Sequence, residues 1–545
     1  MGEVAGGNRQ LTVARRFHDA TRYVPAKDGD DILMGVAPDL GPAIGEQDPT
    51  IEPLPYKIYL GLEPIPLPRE FPVSHLPALD AIAGTGELAV DSAVPNLDTM
   101  ARLCLRANGV LKRWRAPSGR EIEFRAAGCT GARYHLELYL VCGNLPGLGA
   151  GVYHYAAHDH SLRQLRAGDY RGAVVKAAGQ EPAAATAPVV AIWTSTFWRN
   201  AWRYQARAYR HVYWDAGTVL ANLLAVATDA GLPARVVLGF ADAEINALLD
   251  VDGRREAAVV LVALGRSGEA IPASPPVAPL DLATQPISAL EIDFVEIGAM
   301  HEGSSLTSGA EAARWRAGAF RQTPEPPIDG AIPLQPLPAV ELPTDSIDDV
   351  IARRRSNRHY QAEMPLSFAS LSTVLGHSLR ETAMDCLIPG APPHFTPYLI
   401  INNVEGLARG SYAVHQEGQA LEPVRLADSR AVANHLACDQ SYAAAAHVNA
   451  YALTDLEPVL AHFGNRGYRL AQLEAALFGA KLQLAAHALG LGAVGSTAYD
   501  DEVTAFFAPP GKRLEFMFVA VFGAKRRPSE AEVVAKSTFL QPGES

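Results

Sequence analysis

Cysteine is scarce in this chain: five residues among 545, at Cys104, Cys129, Cys142, Cys386 and Cys438. No two stand in CxxC spacing, so the sequence signals neither a zinc centre nor a disulfide framework. Positive charge is also in deficit, with 47 Lys and Arg against 59 Asp and Glu and a net charge of −12. That balance excludes nucleic acid as the expected partner, because phosphate backbones need a basic field. A local basic cluster can still hold one small phosphate. No apolar run approaches the roughly 18 residues of a membrane span, and the opening MGEVAGGNRQ lacks the apolar stretch of a signal peptide. The expectation is a soluble, cytoplasmic protein without a membrane partner.

What is present is globular: 48% hydrophobic and 19% charged residues, enough to bury substantial cores. Residues 1–70 are rich in Pro and Gly and read as an extended N-terminal segment, ending in Glu63-Pro64-Ile65-Pro66-Leu67-Pro68. Residues 267–344 form a second proline-rich zone with Pro272, Pro275, Pro276 and Pro279, then Pro324, Pro326 and Pro327. Such stretches make stiff connections, here with one short helix expected at Glu311–Ala317. A first half at 71–266, a second half at 345–530 and a C-terminal tail at 531–545 complete the division.

The two halves resemble each other. Gly131-Ala132-x-x-His135 recurs as Gly390-Ala391-x-x-His394, 259 residues on, and Tyr139-Leu140 recurs as Tyr398-Leu399. Gly151-x-Tyr153 and Gly410-x-Tyr412, Tyr209-Arg210 and Tyr468-Arg469, and Gly231-Leu232 and Gly490-Leu491 keep the same offset. One offset over about 100 residues indicates duplication. Each half reads as an initial helix, a glycine turn, a buried strand (136–141; 398–401) and a hairpin. A long apolar helix follows (207–230; 467–489), capped by Gly231 or Gly490. A short strand, a polar helix and a last apolar strand (258–264; 516–522) end the half. The fold class is α+β.

The sharpest local signal is Arg353-Arg354-Arg355-Ser356-Asn357-Arg358, ending a helix that starts near Asp345. Guanidinium groups flanking a hydroxyl suit a doubly charged phosphate through bidentate, charge-assisted hydrogen bonds; the alternative is a solvated basic face. His154, His158 and His160 invite a metal reading, but their hairpin's counterpart keeps only His415, and no metal is expected. Cys129 reads as a small buried residue in a tight turn rather than a nucleophile.

Arg354, Ser356 and Arg358 match the Arg-x-Ser-x-Arg/Lys segment of the nitroreductase superfamily, which the chain resembles. Gly490-Leu-Gly-Ala-Val-Gly-Ser496 resembles that family's glycine-rich turn, and Lys525-Arg526-Arg527 stands where the family places further basic residues. The resemblance implies two tandem nitroreductase-like α/β sandwich halves forming an internal pseudo-dimer, with FMN at their interface. In the first half, Phe17-His18-Asp19-Ala20-Thr21, the stretch from Gly128 to Tyr139, and Phe197-Trp198 through Tyr209-Arg210-His211 look like SagB-type dehydrogenases. Those flavoenzymes oxidise thiazolines and oxazolines in ribosomal peptides. Two positions depart from that group: Cys129-Thr130-Gly131 stands for its Ser-Ala-Gly, and Arg203-Tyr204 for its Lys-Tyr.

Carried onto this chain, the resemblance implies that Arg354, Ser356, Arg358, Gly495, Ser496, Lys525 and Arg526 of the second half hold FMN. Thr130, Gly131 and Arg133 of the first half face it. Tyr204 is the expected proton-handling group, with Arg203 lowering its pKa. Ala83-Gly84-Thr85-Gly86 occupies the place of the arginine cluster in the first half, so one FMN per chain is expected and a monomer suffices. The implied reaction is azoline oxidation on a peptide or small heterocyclic substrate, with a cyclodehydratase-type partner enzyme. The competing readings are an NAD(P)H-dependent nitro- or quinone reductase and a non-catalytic peptide-binding scaffold.

Overall fold

Val189–Thr196 and Glu256–Leu264 are apolar and rich in β-branched residues, and every residue of both is buried. Continuous burial of this kind marks strands covered on both faces. In the computed structural model, which describes residues 7–10, 12–25, 47–72, 74, 76–88, 90–115, 121–318, 329–415, 419–509 and 513–526, these strands belong to the first of two large sheets. The MGEVAG start, Pro324, Pro326, Pro327, Arg527 and the 531–545 tail lie outside the described residues.

In chain order the strands are β1 (Pro64–Pro66), β2 (Val110–Arg115), β3 (Glu121–Arg125), β4 (Leu136–Cys142), β5 (Gly151–Ala156), β6 (Ser161–Ala167), β7 (Val189–Thr196), β8 (Ala234–Val237) and β9 (Glu256–Leu264). The second half contributes β10 (Ile332–Pro333), β11 (Thr396–Ile401), β12 (Gly410–His415), β13 (Ala420–Leu426), β14 (Val448–Thr454), β15 (Gly492–Ser496) and β16 (Glu515–Gly523). The first sheet runs β1-β6-β5-β4-β7-β9-β8 and the second β10-β13-β12-β11-β14-β16-β15, both wholly antiparallel. The orders match strand for strand. The proline-bearing β1 and β10 sit at sheet edges, where a missing N–H costs no ladder bond. The β2–β3 hairpin stands outside both sheets.

Two long helices, Ala208–Asp229 and Arg466–Ala488, lie between the sheets and pack against each other. Each ends in a glycine with positive φ, Gly231 at 67° and Gly490 at 75°, as a left-handed cap requires. In β4, Leu138 and Leu140 face this central core, while Tyr139 and Val141 face a second cluster under the helices Arg171–Ala177 and Asp242–Leu249. Among the described residues no helix is long and apolar enough to cross a membrane.

The pseudo-two-fold passes where the long helices touch. A Cβ added to Gly217 would lie 2.6 Å from Cβ of Ala476, the residue at its own 259 offset. A residue meeting its counterpart is the signature of an isologous contact. Gly217→Leu is therefore expected to destabilise the chain by about 1–3 kcal/mol through overpacking; an unchanged denaturation midpoint would refute the close approach.

The halves are further locked by exchanged charges. Arg207, just before the first long helix, and Arg210 within it reach Asp500 of the second half, Arg207 at 2.9 Å. Arg466 and Arg469 of the second reach Asp242 of the first half, each at 2.7 Å. All four guanidiniums are fully buried. Backbone and hydroxyl partners repeat too. Arg210 donates to His18 O (2.6 Å) and Thr21 Oγ1 (2.9 Å), and Arg469 to His301 O (2.7 Å) and Ser304 Oγ (2.8 Å).

Helices Thr12–Ala20 and Val295–Gly303 are thus counterparts as well. Their shared residues stand 283 apart, so a search at 259 passes over them. The N-terminal segment, expected to be extended, carries the first of these helices, and the proline-rich zone carries the second. Between the hairpin and the long helix of each half, where the sequence pattern predicts no further strand, stand β7 and β14.

Candidate functional site

Ser346 caps the helix Ile347–Arg353, its Oγ accepting from Asp349 N. Beyond the helix the chain runs extended beside the second sheet. Ser356 bridges Ala493 in β15, Asn357 N donates to Ala493 O (3.0 Å), Tyr360 bridges Lys525, and Arg526 N donates to His359 O (2.9 Å). This lacing gathers Arg354, Ser356, Arg358, Gly495, Ser496, Lys525 and Arg526 at one end of the sheet.

The charges there are unequal. Arg353 is neutralised by Asp345 at 2.6 Å. Arg354 is partly buried and crosses to the first half, where its Nε donates to Ala126 O (3.2 Å). Among the described residues it has no carboxylate partner, whereas the fully buried Arg199, Arg207, Arg210, Arg466 and Arg469 all do. Burial, and then Arg355, holds the Arg354 guanidinium below its usual range. Neighbouring His487 is depressed to about 3, first by burial and then by Arg354, with Lys525 and Arg353 adding to it. A desolvated cation without an anion is costly, and this donor set is the one a phosphate would satisfy. Arg358 and Ser496 converge on Tyr442: the guanidinium lies 5.6 Å over its ring, and Ser496 Oγ is 2.7 Å from its hydroxyl. Sequence reasoning missed Tyr442, which lies in the short Ser441–Ala445 helix with no motif around it.

Across the interface, the Gly128–Tyr134 turn is organised by Asp215, a carboxylate within an apolar helix. Thr130 N (2.9 Å) and Oγ1 (2.8 Å), Cys129 Sγ (3.0 Å) and His135 Nε2 (2.8 Å) all point to it. A buried carboxylate requires such partners. Asp215 and Glu474 share the 259 offset, a signal that the sequence contained and the motif search left unused. Thr130 is thus turned toward Asp215. Burial and Asp215 push the Cys129 thiol well up, consistent with an unreactive turn residue.

Gly131 has φ 60°, and a Cβ there would lie 2.6 Å from Tyr204 Oη; only glycine admits the phenol this close. Arg133 donates to Glu52 (2.9 Å) and Gly131 O (3.1 Å) and lies 4.9 Å over the Trp202 ring. Arg203 lies 5.7 Å from the centre of the Tyr204 ring, and its buried Nε has no acceptor among the described residues. The expected depression of the Tyr204 pKa does not occur. Burial pushes the phenol up and outweighs the opposing pull of Arg203. Three residues later Arg207 donates to Thr497 Oγ1 (3.3 Å), joining Tyr204's helix end to the Gly495–Ser496 strand end.

The three histidines of the first hairpin do not converge. His154 pairs with Glu137 (3.0 Å), His160 with Tyr155 and Pro68 O (2.8 Å each), and His158 lies 3.6 Å from Asp159.

The symmetry-related location is built differently. Thr85 O accepts from Ala383 N (2.8 Å), Met384 bridges Val236, and the Asp385 carboxylate accepts from Leu238 N and Gly239 N (2.9 Å each). A loop of the second half therefore covers the end of β8, where the arginine segment lies along β15. Burial pushes the Asp385 carboxyl up.

Two seven-stranded sheets of the same strand order, with the paired long helices between them, define a tandem α+β fold. Residues 114–266 and 351–520 match the model of the nitroreductase family, together more than half the chain. The chain belongs to the nitroreductase family, as two segments in tandem. It is 30% identical over 146 residues to MJ1384 of Methanocaldococcus jannaschii, a protein named as a nitroreductase, covering 27% of this chain and 72% of that one. It is 29% identical over 207 residues to the trifolitoxin-processing protein TfxB of Rhizobium leguminosarum bv. trifolii, covering 37% of this chain and 49% of TfxB. A crystal structure described as a nitroreductase from Anabaena variabilis is similar in fold along 94% of this chain and 99% of its own, with a TM-score of 0.70 and 23% identity.

Proposed function

We propose that this chain is an FMN-dependent dehydrogenase of the SagB type that oxidises azoline rings, or a related bond, in a ribosomally made peptide. The observation that carries the reading is Arg354, a partly buried guanidinium at the interface of the halves that has no carboxylate partner among the described residues. Bound FMN would supply a hydride acceptor beside the substrate. Arg354, Ser356 and Arg358 would grip its phosphate, with Lys525 and Arg526 adding charge and Gly495 and Ser496 lining the strand side. From the first half, Gly131 and the Thr130 turn would bound the site, with Arg133 buttressing that turn through Gly131 O.

Tyr204 remains the proposed proton-handling group, positioned with Arg203. Its raised pKa means that it enters as a hydrogen-bond donor. The ring would lose one proton, relayed to solvent at Tyr204, and one hydride equivalent to the flavin, and oxygen would take the two electrons with two protons and leave as hydrogen peroxide. A cyclodehydratase-type partner would supply the azoline. The relationship to a trifolitoxin-processing protein supports a peptide substrate.

Three measurements test this reading. Product mass should fall by two hydrogens per ring, and NADPH should bleach the flavin slowly or not at all; rapid bleaching favours a nitro- or quinone reductase, and a colourless protein favours a scaffold. Titration of the apo-protein should saturate at one FMN per chain, because Asp385 occupies the amides of the related location and nearby Arg235 is already paired with Glu87 and Glu181. Two per chain would overturn that asymmetry.

A further inference from the structure

Beside the covered location, a cleft of about 330 Å³ opens between the second half's long helix and the loop following Ser378. Four residues on one face of the helix line it: Glu474, Leu477, Phe478 and Lys481. Phe395 forms part of the wall, its ring centre 5.2 Å from that of Phe478. Lys481 is only 3% exposed. It donates to Arg380 O (3.0 Å) and Glu381 O (3.3 Å), carbonyls just beyond the C-terminal end of the Phe368–Ser378 helix. That end of a helix favours a cation. An ammonium carries three donors, and among the described residues the third has no acceptor. Among the described residues no carboxylate forms an ion pair with Lys481; burial pulls it down to about 8 against the weaker support of Glu381.

A concave site with apolar walls and one desolvated cation selects for a complementary anion. Glu474, together with Glu381 in the same lining, limits the choice. Glu474 Oε2 takes His394 N (3.0 Å) and Nδ1 (3.1 Å), so a second negative charge in the same cleft would meet a carboxylate. None of these residues belongs to the proposed FMN site. Lys481 replaces Asn222, its counterpart at the 259 offset, whose Nδ2 donates to Arg106 O (2.8 Å).

We propose that this cleft binds a small monocarboxylate, its carboxylate on Lys481 and its apolar body against Phe395 and Phe478. The duplicated interface then serves two ligands of different chemistry at separate places.

The probe is 3-phenylpropionate, titrated by calorimetry into the purified full chain, with 3-phenylpropionamide as the uncharged match. One site per chain is expected, with the amide at least about tenfold weaker, since each factor of ten corresponds to about 1.4 kcal/mol. Lys481→Met should weaken the acid at least about tenfold and leave the amide unchanged. Glu474→Gln should tighten the acid by removing a nearby like charge, which keeps the test decisive if the lysine variant fails to fold. Arg354→Ala should leave binding intact. Absence of saturable binding, equal affinity for acid and amide, or loss in Arg354→Ala with retention in Lys481→Met would each overturn the proposal. Because the readout does not involve flavin, it stands or falls separately from the FMN assignment.

Discussion

Replacing Arg354 by Ala is expected to weaken FMN retention by about ten- to a hundredfold, measured by flavin fluorescence on titrating the apo-protein. A charge-assisted hydrogen bond contributes about 1.5–3 kcal/mol, which corresponds to that range. Arg354→Lys should fall between wild type and Ala, because an ammonium keeps the charge and loses the planar fork. Arg358→Ala should cost less: Arg358 is exposed and stacks on Tyr442. The apo-protein offers a second, opposite readout. Arg354 is desolvated without a counter-ion among the described residues, so its removal should leave the apo-form as stable as before or more so. Wild-type flavin affinity in the Ala variant would refute the phosphate assignment. A large loss of apo-stability would show that Arg354 is structural.

The other large effect is expected at the exchanged ion pairs. Asp500→Ala would leave Arg207 and Arg210 buried and uncompensated, and Asp242→Ala would do the same to Arg466 and Arg469. Removing one partner of a buried pair costs about 3–5 kcal/mol, a large share of the roughly 5–15 kcal/mol that holds a typical fold. Each variant should lower the urea midpoint sharply, and a shift under about 1 kcal/mol would contradict the buried geometry.

The same clusters set the acid limb of stability. His18 is depressed from 6.5 to about 4, and His301 from 6.5 to about 3, by burial and by Arg210 or Arg469. Asp500 and Asp242 are depressed below 3.8, their arginines outweighing burial. On acidification the unfolded chain therefore takes up protons first, at both residue types. Stability present above pH 6.5 should decline as the histidines' unfolded forms protonate, and decline further below pH 4 as the aspartates' do.

The sequence made the duplication legible because the glycines and aromatics that carry it are held by backbone geometry and tight packing. Gly231 and Gly490 cap helices with positive φ, and Gly131 admits the Tyr204 hydroxyl. The strand and helix bounds around them were read to within a few residues. The arginine segment was legible through its charge pattern, although its setting was not: that Arg353 is neutralised and Arg354 left without a carboxylate depends on contacts across the interface. The Asp215 hub and the Arg–Asp exchange were missed for one reason. Each joins residues about 80 to 290 positions apart, and nothing in a local window shows which charge inside an apolar helix has found its partner. The Asp385 loop escaped because it lies where the first half has alanine, and a motif search looks for what a site keeps, not for what has filled it.

The meeting of Gly217 and Ala476 also bears on how such a chain evolves. In a dimer of identical subunits, a residue on the axis faces itself, so any change there is made twice in the same space. Glycine against glycine leaves a gap, and alanine against alanine brings two methyl groups to 2.6 Å unless the helices part. Once the two copies share one polypeptide, one can keep glycine while the other gains a methyl to fill the gap. Fusion turns a position that could only mutate symmetrically into a knob and a hole, and the same freedom let one interface site keep its arginines while the other acquired a lysine.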